Sequence, residues 1–170
     1  MVCPVVMRSQ LMQLINTEIK NAKAGKKASI ILKINSLSDL QLIEKLYAAA
    51  DAGVELSLVV RSIYCAKFRN KRKKNFSAVS IVDEYLEHSR IMIFHHGGKE
   101  KMFISSADWM IRNLDHRIEV AIPVKDKALC KELKDIMHIQ LSDDVKARIL
   151  DNMLQNNYVP SAGKKRISAQ

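Results

Sequence analysis

Aromatic residues are scarce in this sequence. Phe, Trp and Tyr make up 5% of it, too few for a surface that stacks successive bases. The three cysteines, Cys3, Cys65 and Cys130, are odd in number and show no C-x-x-C or Cys/His spacing. That pattern argues against a disulfide framework or a zinc site and fits a reducing cytoplasm. Long hydrophobic runs are missing as well: nothing approaches the roughly 20 apolar residues of a membrane-spanning helix. The apolar start over residues 2–7 is broken by Pro4 and ends at Arg8, too short for a secretory signal. There is no G-x-x-x-x-G-K-[ST] loop, no H-E-x-x-H, no G-x-S-x-G and no carboxylate cluster suited to tight metal binding. A nucleoside triphosphate, if handled here, is not held by a P-loop. Internal repeats and low-complexity segments are also missing.

What is present describes one globular domain. The 170 residues are 48% hydrophobic and 27% charged, enough to bury a core. Lysine and arginine outnumber aspartate and glutamate by 28 to 18, a net charge of +10. An excess of this size on a small domain points to an anionic partner: nucleic acid, acidic lipid, nucleotide or another polyanion.

Periodicity supplies the elements. Met7, Leu11, Leu14, Ile15, Ile19 and Ala22 recur at helical spacing and predict a helix over 7–24, stopped at Gly25. "SIILKI" reads as a buried strand over 29–34. Ser36 and Asp39 fit a capping box for a helix on Leu40, Ile43, Leu46 and Tyr47, with Gly53 as its stop. "VELSLVV", 54–60, is a second strand, so the pair should be parallel with a right-handed crossover. Further strands are predicted over 78–82 and 117–124, with a short helical turn through Tyr85 between 82 and 88. "HSRIMIF" and "KMFISS" form an antiparallel hairpin around Gly97-Gly98. Helices are predicted over 125–139 and 143–154, the last capped at Ser142. The expected architecture is a mixed sheet with helices on both faces, spanning 1–157. A polar tail, 158–170, is expected to lack fixed structure.

Ligands of such sheets gather beyond the carboxyl ends of the strands. Asn35 and Arg61 stand there, and Arg61 is a candidate anion ligand. His88 and Arg90, at i and i+2 in a predicted strand, share a face. An imidazole beside a permanent cation suits phosphoryl transfer, in which the guanidinium grips oxygens and the imidazole takes a proton or a phosphoryl group. Two polar residues on an exposed edge strand would give the same pattern. A second polar cluster, Ser105, Ser106, Asp108, Arg112, Asn113, Asp115, His116 and Arg117, follows the hairpin, with Trp109 as its packing anchor. Between Lys67 and Lys74 lie six lysines or arginines, a run that is either a solvated loop or a polyanion guide.

Read together, "LINTEIKNAKAGKKASIILKINSLSDLQLIEKLYAAADAGVELSLVVRSI", "SIVDEYLEHSRIMIFHHGG", "FISSADWMIRNLDHRIEVAIPV" and "LSDDVKARILDN" resemble the last catalytic domain of bacterial polyphosphate kinases. The resemblance runs over nearly the whole chain. It implies a phospholipase D-like three-layer α-β-α sandwich, one half of a two-domain catalytic unit. It also implies reversible transfer of the terminal phosphoryl of ATP to polyphosphate, with magnesium. His88-x-Arg90 and Asn113 stand where that superfamily places its H-x-K pair and downstream asparagine. Arg61 and His88 are implied at the ATP-phosphate site, with His88 assisting proton transfer. Arg90, Asn113, Arg112, Arg117 and Asn35 are the expected phosphate ligands around them. Lys71, Arg72, Lys73 and Lys74 are the expected polyphosphate path. The histidine that becomes phosphorylated would lie on a sister domain outside this chain. The resemblance implies a cytoplasmic homo-oligomer as the full-length enzyme, with a peripheral place at the inner membrane as an option. One departure stands out: Ser62 and the run "KFRNKRKKN" replace the family's usual Gly and Pro/Gly loop. Two other readings remain open, a phosphodiesterase that pairs two copies of His88 and a non-catalytic polyanion-binding module.

Overall fold

The computed structural model describes residues 1–67, 74–153, 155–161 and 166–170. Helix α1 (Met7–Lys23) leads into β1 (Ser29–Ile34), α2 (Leu40–Asp51) and β2 (Glu55–Val60). Then come β3 (Phe76–Ser80), β4 (Ile91–Phe94), β5 (Lys101–Ser105), β6 (Ala121–Val124), α3 (Lys127–Leu141) and β7 (Arg148–Ile149). The strands form one sheet in the order β6-β5-β4-β1-β2-β3-β7. β1, β2 and β3 run parallel, and the rest pair antiparallel.

Strand alternation sorts the core into two layers. Ile30, Leu32 and Ile34 of β1, Leu56 and Leu58 of β2 and Phe94 of β4 pack with Leu11, Ile15, Leu42 and Leu46 of α1 and α2. Val59, Ile91, Ile93 and Met102 face the other way, against Met137 of α3. The architecture is therefore the expected three-layer sandwich. Gly25 and Gly53 take positive φ, +68° and +94°, just past α1 and α2. Those left-handed stops turn each helix back into the sheet at little steric cost. Pro123 sits in β6, an edge strand, where a missing amide costs no ladder bond.

Several expectations fail, each for an identifiable reason. Asp39, not Ser36, caps α2, accepting the Leu42 amide at 3.0 Å. Ser36 is buried, and its amide is taken by Asp108. No helical turn forms at Tyr85, and β4 begins only at Ile91. His88 and Arg90 thus lie in an irregular lead-in to the strand. β3 starts two residues earlier than expected, because Phe76 pairs with Leu56. The strand expected from Arg117 begins at Ala121, while Ser106 takes up the backbone of Val120. A single π-helical turn, Arg112–His116, occupies the polar stretch after β5.

The largest difference is at 143–154, where no helix forms among the described residues. One oxygen of Asp143 accepts the amides of Val145, Lys146 and Ala147 at 2.8–3.0 Å. That side chain gives the backbone an alternative to a helix, and the freed segment adds β7 to the edge of β3. Among the described residues after 157, Ile167 donates to Asp144, Ala169 to Asp143, and the Gln170 side chain to the carbonyl of Tyr85. Among the described residues no helix is long and apolar enough to cross a membrane.

Candidate functional site

The carboxyl ends of β1 and β2 deliver Asn35 and Arg61 side by side, and Arg61 Nε donates to Asn35 Oδ1 at 2.7 Å. Asp108 comes to the same place from the loop after β5. One of its oxygens accepts the amides of Asn35 at 2.8 Å and Ser36 at 3.1 Å. The same carboxylate is gripped by Arg90, Nε to Oδ1 at 2.9 Å and Nη2 to Oδ2 at 3.0 Å. This two-point pairing has planar, directional geometry that only a guanidinium offers. Arg90 also donates to the carbonyl of His88 at 3.1 Å, and its Nη2 lies 3.3 Å from His88 Nε2. When Arg90 donates there, Nε2 is the acceptor and the imidazole proton sits on Nδ1.

Asp108 is the node, with 5% of its surface exposed. Burial alone would push its carboxyl upward. The Arg90 guanidinium and the amides of Ser36 and Asn35 outweigh that and hold it below the ordinary carboxylate value. Arg90 is therefore neutralised. Arg61 is not: among the described residues its guanidinium has no carboxylate partner and keeps both terminal nitrogens unbonded. His88 is exposed and joined to Arg61 through Arg90, Asp108 and Asn35. An unpaired cation, an exposed imidazole and a fixed ion pair at one end of a sheet suit a ligand with phosphate oxygens. Arg61 also lines an open cleft of about 560 Å³ with Ser62, Ser80, Arg148 and Asn156.

Of the residues expected from the sequence, Asn35, Arg61, His88 and Arg90 are joined in one hydrogen-bonded chain. Asn113 is not joined to it. Its amide, 3% exposed, donates to Glu119 at 2.8 Å, and Glu119 also accepts from Ser106. It lines neither of the two depressions that Arg61 lines. Arg112 and Arg117 are exposed, and no hydrogen bond or ion pair fixes either among the described residues. Lys71, Arg72 and Lys73 lie outside the described residues. Lys74 stands before β3, at the opposite end of the parallel strands from Arg61.

Asp108 was absent from the residues expected at the phosphate site. The signal available was an acid on the loop after β5, which antiparallel pairing returns to the start of β4, beside Arg90. Magnesium, which the resemblance implies, does not fit Asp108. Two amides and a guanidinium already occupy its oxygens. No group of three or more His, Cys, Asp or Glu among the described residues is placed to hold a metal.

The family model described as polyphosphate kinase C-terminal domain 2 matches residues 1–170. A polyphosphate kinase of Vibrio parahaemolyticus serotype O3:K6 is 45% identical over 172 residues, covering 100% of this chain and 25% of the relative. The crystal structure of polyphosphate kinase from Porphyromonas gingivalis superposes with a TM-score of 0.95 at 46% identity. That match covers 99% of this chain and 26% of the other. Nuc of Salmonella typhimurium, a phospholipase D family member, shares the fold with a TM-score of 0.62 at 13% identity, over 88% of this chain and 95% of its own. The chain spans about a quarter of the length of the polyphosphate kinases it matches. It belongs to the polyphosphate kinase family, as the part described as C-terminal domain 2.

Proposed function

We propose that this chain forms one wall of a polyphosphate kinase active site, which moves the terminal phosphoryl group of ATP reversibly onto inorganic polyphosphate. The observation that carries the reading is Arg61, a cation without a carboxylate partner among the described residues, bonded through Asn35 and Asp108 to the Arg90–His88 pair. In this reading Arg61 grips the oxygens of the transferring group and offsets the charge that spreads over them. Arg90 holds the imidazole of His88 in place rather than binding phosphate itself, since Asp108 occupies it. With Nε2 accepting from Arg90, His88 moves a proton at Nδ1. Asn113 serves the packing of the 106–119 loop. A phosphoryl-accepting histidine on a sister domain completes the site, so the isolated chain supplies binding groups without the nucleophile. The free cysteines suit a cytoplasmic enzyme, and a homo-oligomer of the full-length protein belongs to the same reading.

The bidentate Arg90–Asp108 pair counts against the phosphodiesterase reading, in which the cation two residues after the histidine must bind substrate. The decisive experiment is Arg61→Ala in the full-length enzyme, assayed for polyphosphate formed from ATP. A loss of about a hundredfold to a thousandfold in kcat/KM is expected when one donor to the developing charge is removed. An unchanged kcat/KM would take Arg61 out of the site and the proposal with it.

A further inference from the structure

Lys33 lies inside β1, the central strand, with Val59 on one side and Ile91 on the other. The alternation of β1 sends it to the α3 face, where it is 6% exposed. Its Nζ donates to Glu87 at 2.6 Å and to Gln140 of α3 at 2.9 Å. Gln140 Nε2 donates to the same Glu87 oxygen at 2.6 Å, closing a triangle of three groups. A buried ammonium carries a desolvation cost that a leucine or methionine of similar volume would not. Packing alone therefore gives no reason for a lysine here.

The triangle acts on a segment that needs fixing. Glu87 directly precedes His88, and residues 81–90 carry no helix or strand. Their position depends on side-chain tethers. On the far side of His88 the tether is Arg90 on Asp108. On the near side it is Glu87 on Lys33 and Gln140. Lys33, Glu87 and Gln140 also line a small cavity of about 10 Å³ together with Arg61, so the two anchors flank the same end of the sheet.

We propose that Lys33, acting through Glu87 and Gln140, is a positioning residue that sets where the imidazole of His88 stands relative to Arg61. The inference rests on the reading of His88 as a group of the transfer site. Lys33 takes no part in the chemistry. Its ammonium neutralises and anchors the carboxylate of Glu87, and the backbone carries that restraint one residue on.

The test uses the full-length enzyme with Lys33→Met, Glu87→Ala, Glu87→Gln and His88→Ala, assayed for polyphosphate formation with varied ATP. Lys33→Met and Glu87→Ala are expected to lower kcat by about tenfold to a hundredfold, the scale of a small misplacement of a reacting group. KM for ATP should stay within about twofold, because the affinity for the substrate is untouched. Glu87→Gln keeps an oxygen for Lys33 and Gln140 and should return kcat to within about threefold of the parent. Should Lys33→Met fail to fold, the two Glu87 variants decide the matter, since that side chain is 37% exposed. Glu87→Ala at parental kcat overturns the inference. So does Glu87→Gln as damaging as Glu87→Ala, with matching losses of melting temperature. If His88→Ala keeps the parental kcat, the proposed function falls and this inference with it. If His88→Ala is inactive while Lys33→Met and Glu87→Ala are normal, this inference alone fails.

Discussion

Two buried carboxylates at opposite ends of the same sheet meet opposite fates. Asp108, at the carboxyl end of β1, and Glu18, under the amino end of β1, are each nearly inaccessible. Each accepts backbone amides, Asp108 those of Asn35 and Ser36 and Glu18 that of His96. Asp108 is nevertheless held below the ordinary carboxylate value and Glu18 above it. For Glu18, burial is the largest influence, and the His96 amide and the nearby His95 and His96 rings do not outweigh it. Its second oxygen finds no hydrogen-bond partner among the described residues. The difference is Arg90. A two-point guanidinium repays the desolvation of one carboxylate, and among the described residues no comparable cation reaches the other. One end of the sheet is thereby built around fixed charge, and the other around a group that resists it.

Removing the fixed charge should have the largest effect. Asp108→Ala leaves the Arg90 guanidinium, whose side chain is 11% exposed, buried without its counter-ion. Breaking such a pair from one side is expected to cost about 3–5 kcal/mol, read by chemical denaturation, and to free the His88 segment. Asp108→Asn should retain the amide acceptor and lose less. The sign with pH follows from the lowered pKa. The contribution of Asp108 is fully present above about 3.8, its ordinary value, and is lost as pH falls through the depressed one. A loss below 1 kcal/mol for Asp108→Ala would show that Arg90 is already solvated, and the contrast with Glu18 would collapse.

How much of this was legible beforehand follows the range of the interactions. The parallel core strands are β-branched runs punctuated by glycines, so local pattern suffices for them. Asn35 and Arg61 could be placed because strand ends are local too. His88 and Arg90 were assigned to a strand they only precede, yet they do share a side, because Arg90 folds back onto the His88 carbonyl and ring. Asp108 was hidden because its role depends on the return of β5 beside β4. Lys33 stands within a run that reads simply as a buried strand, and its partners Glu87 and Gln140 are 54 and 107 residues away in sequence. Asn113 matched a motif position, but its local partner is Glu119.

The expected last helix failed through Asp143, which has apolar spacing after it and a carboxylate that captures the amides first. That account is open to a direct check of intermediate size. Asp143→Ala removes an acceptor from Val145, Lys146, Ala147 and Ala169. A cost of about 2 kcal/mol is expected from the amides left without it, together with faster proteolysis within residues 166–170. If cleavage there is unchanged, Asp143 is not what ties down the tail.

The smallest expected effect lies at Glu18, and it sharpens the contrast best because it should be favourable. With its native pKa raised above the ordinary 4.5, the folded protein holds a proton that the unfolded chain has released. Stability therefore falls as pH rises from about 4.5 through the raised value, and the full cost is present above it. Glu18→Gln keeps an oxygen for the His96 amide and removes the titration. The variant should gain up to about 1 kcal/mol over the parent at neutral pH, and the gain should vanish near pH 4. Urea unfolding of both proteins across that range measures the difference directly. A difference independent of pH would mean that Glu18 is ionised at no cost in the fold, and that a buried carboxylate here needs no guanidinium to stay charged.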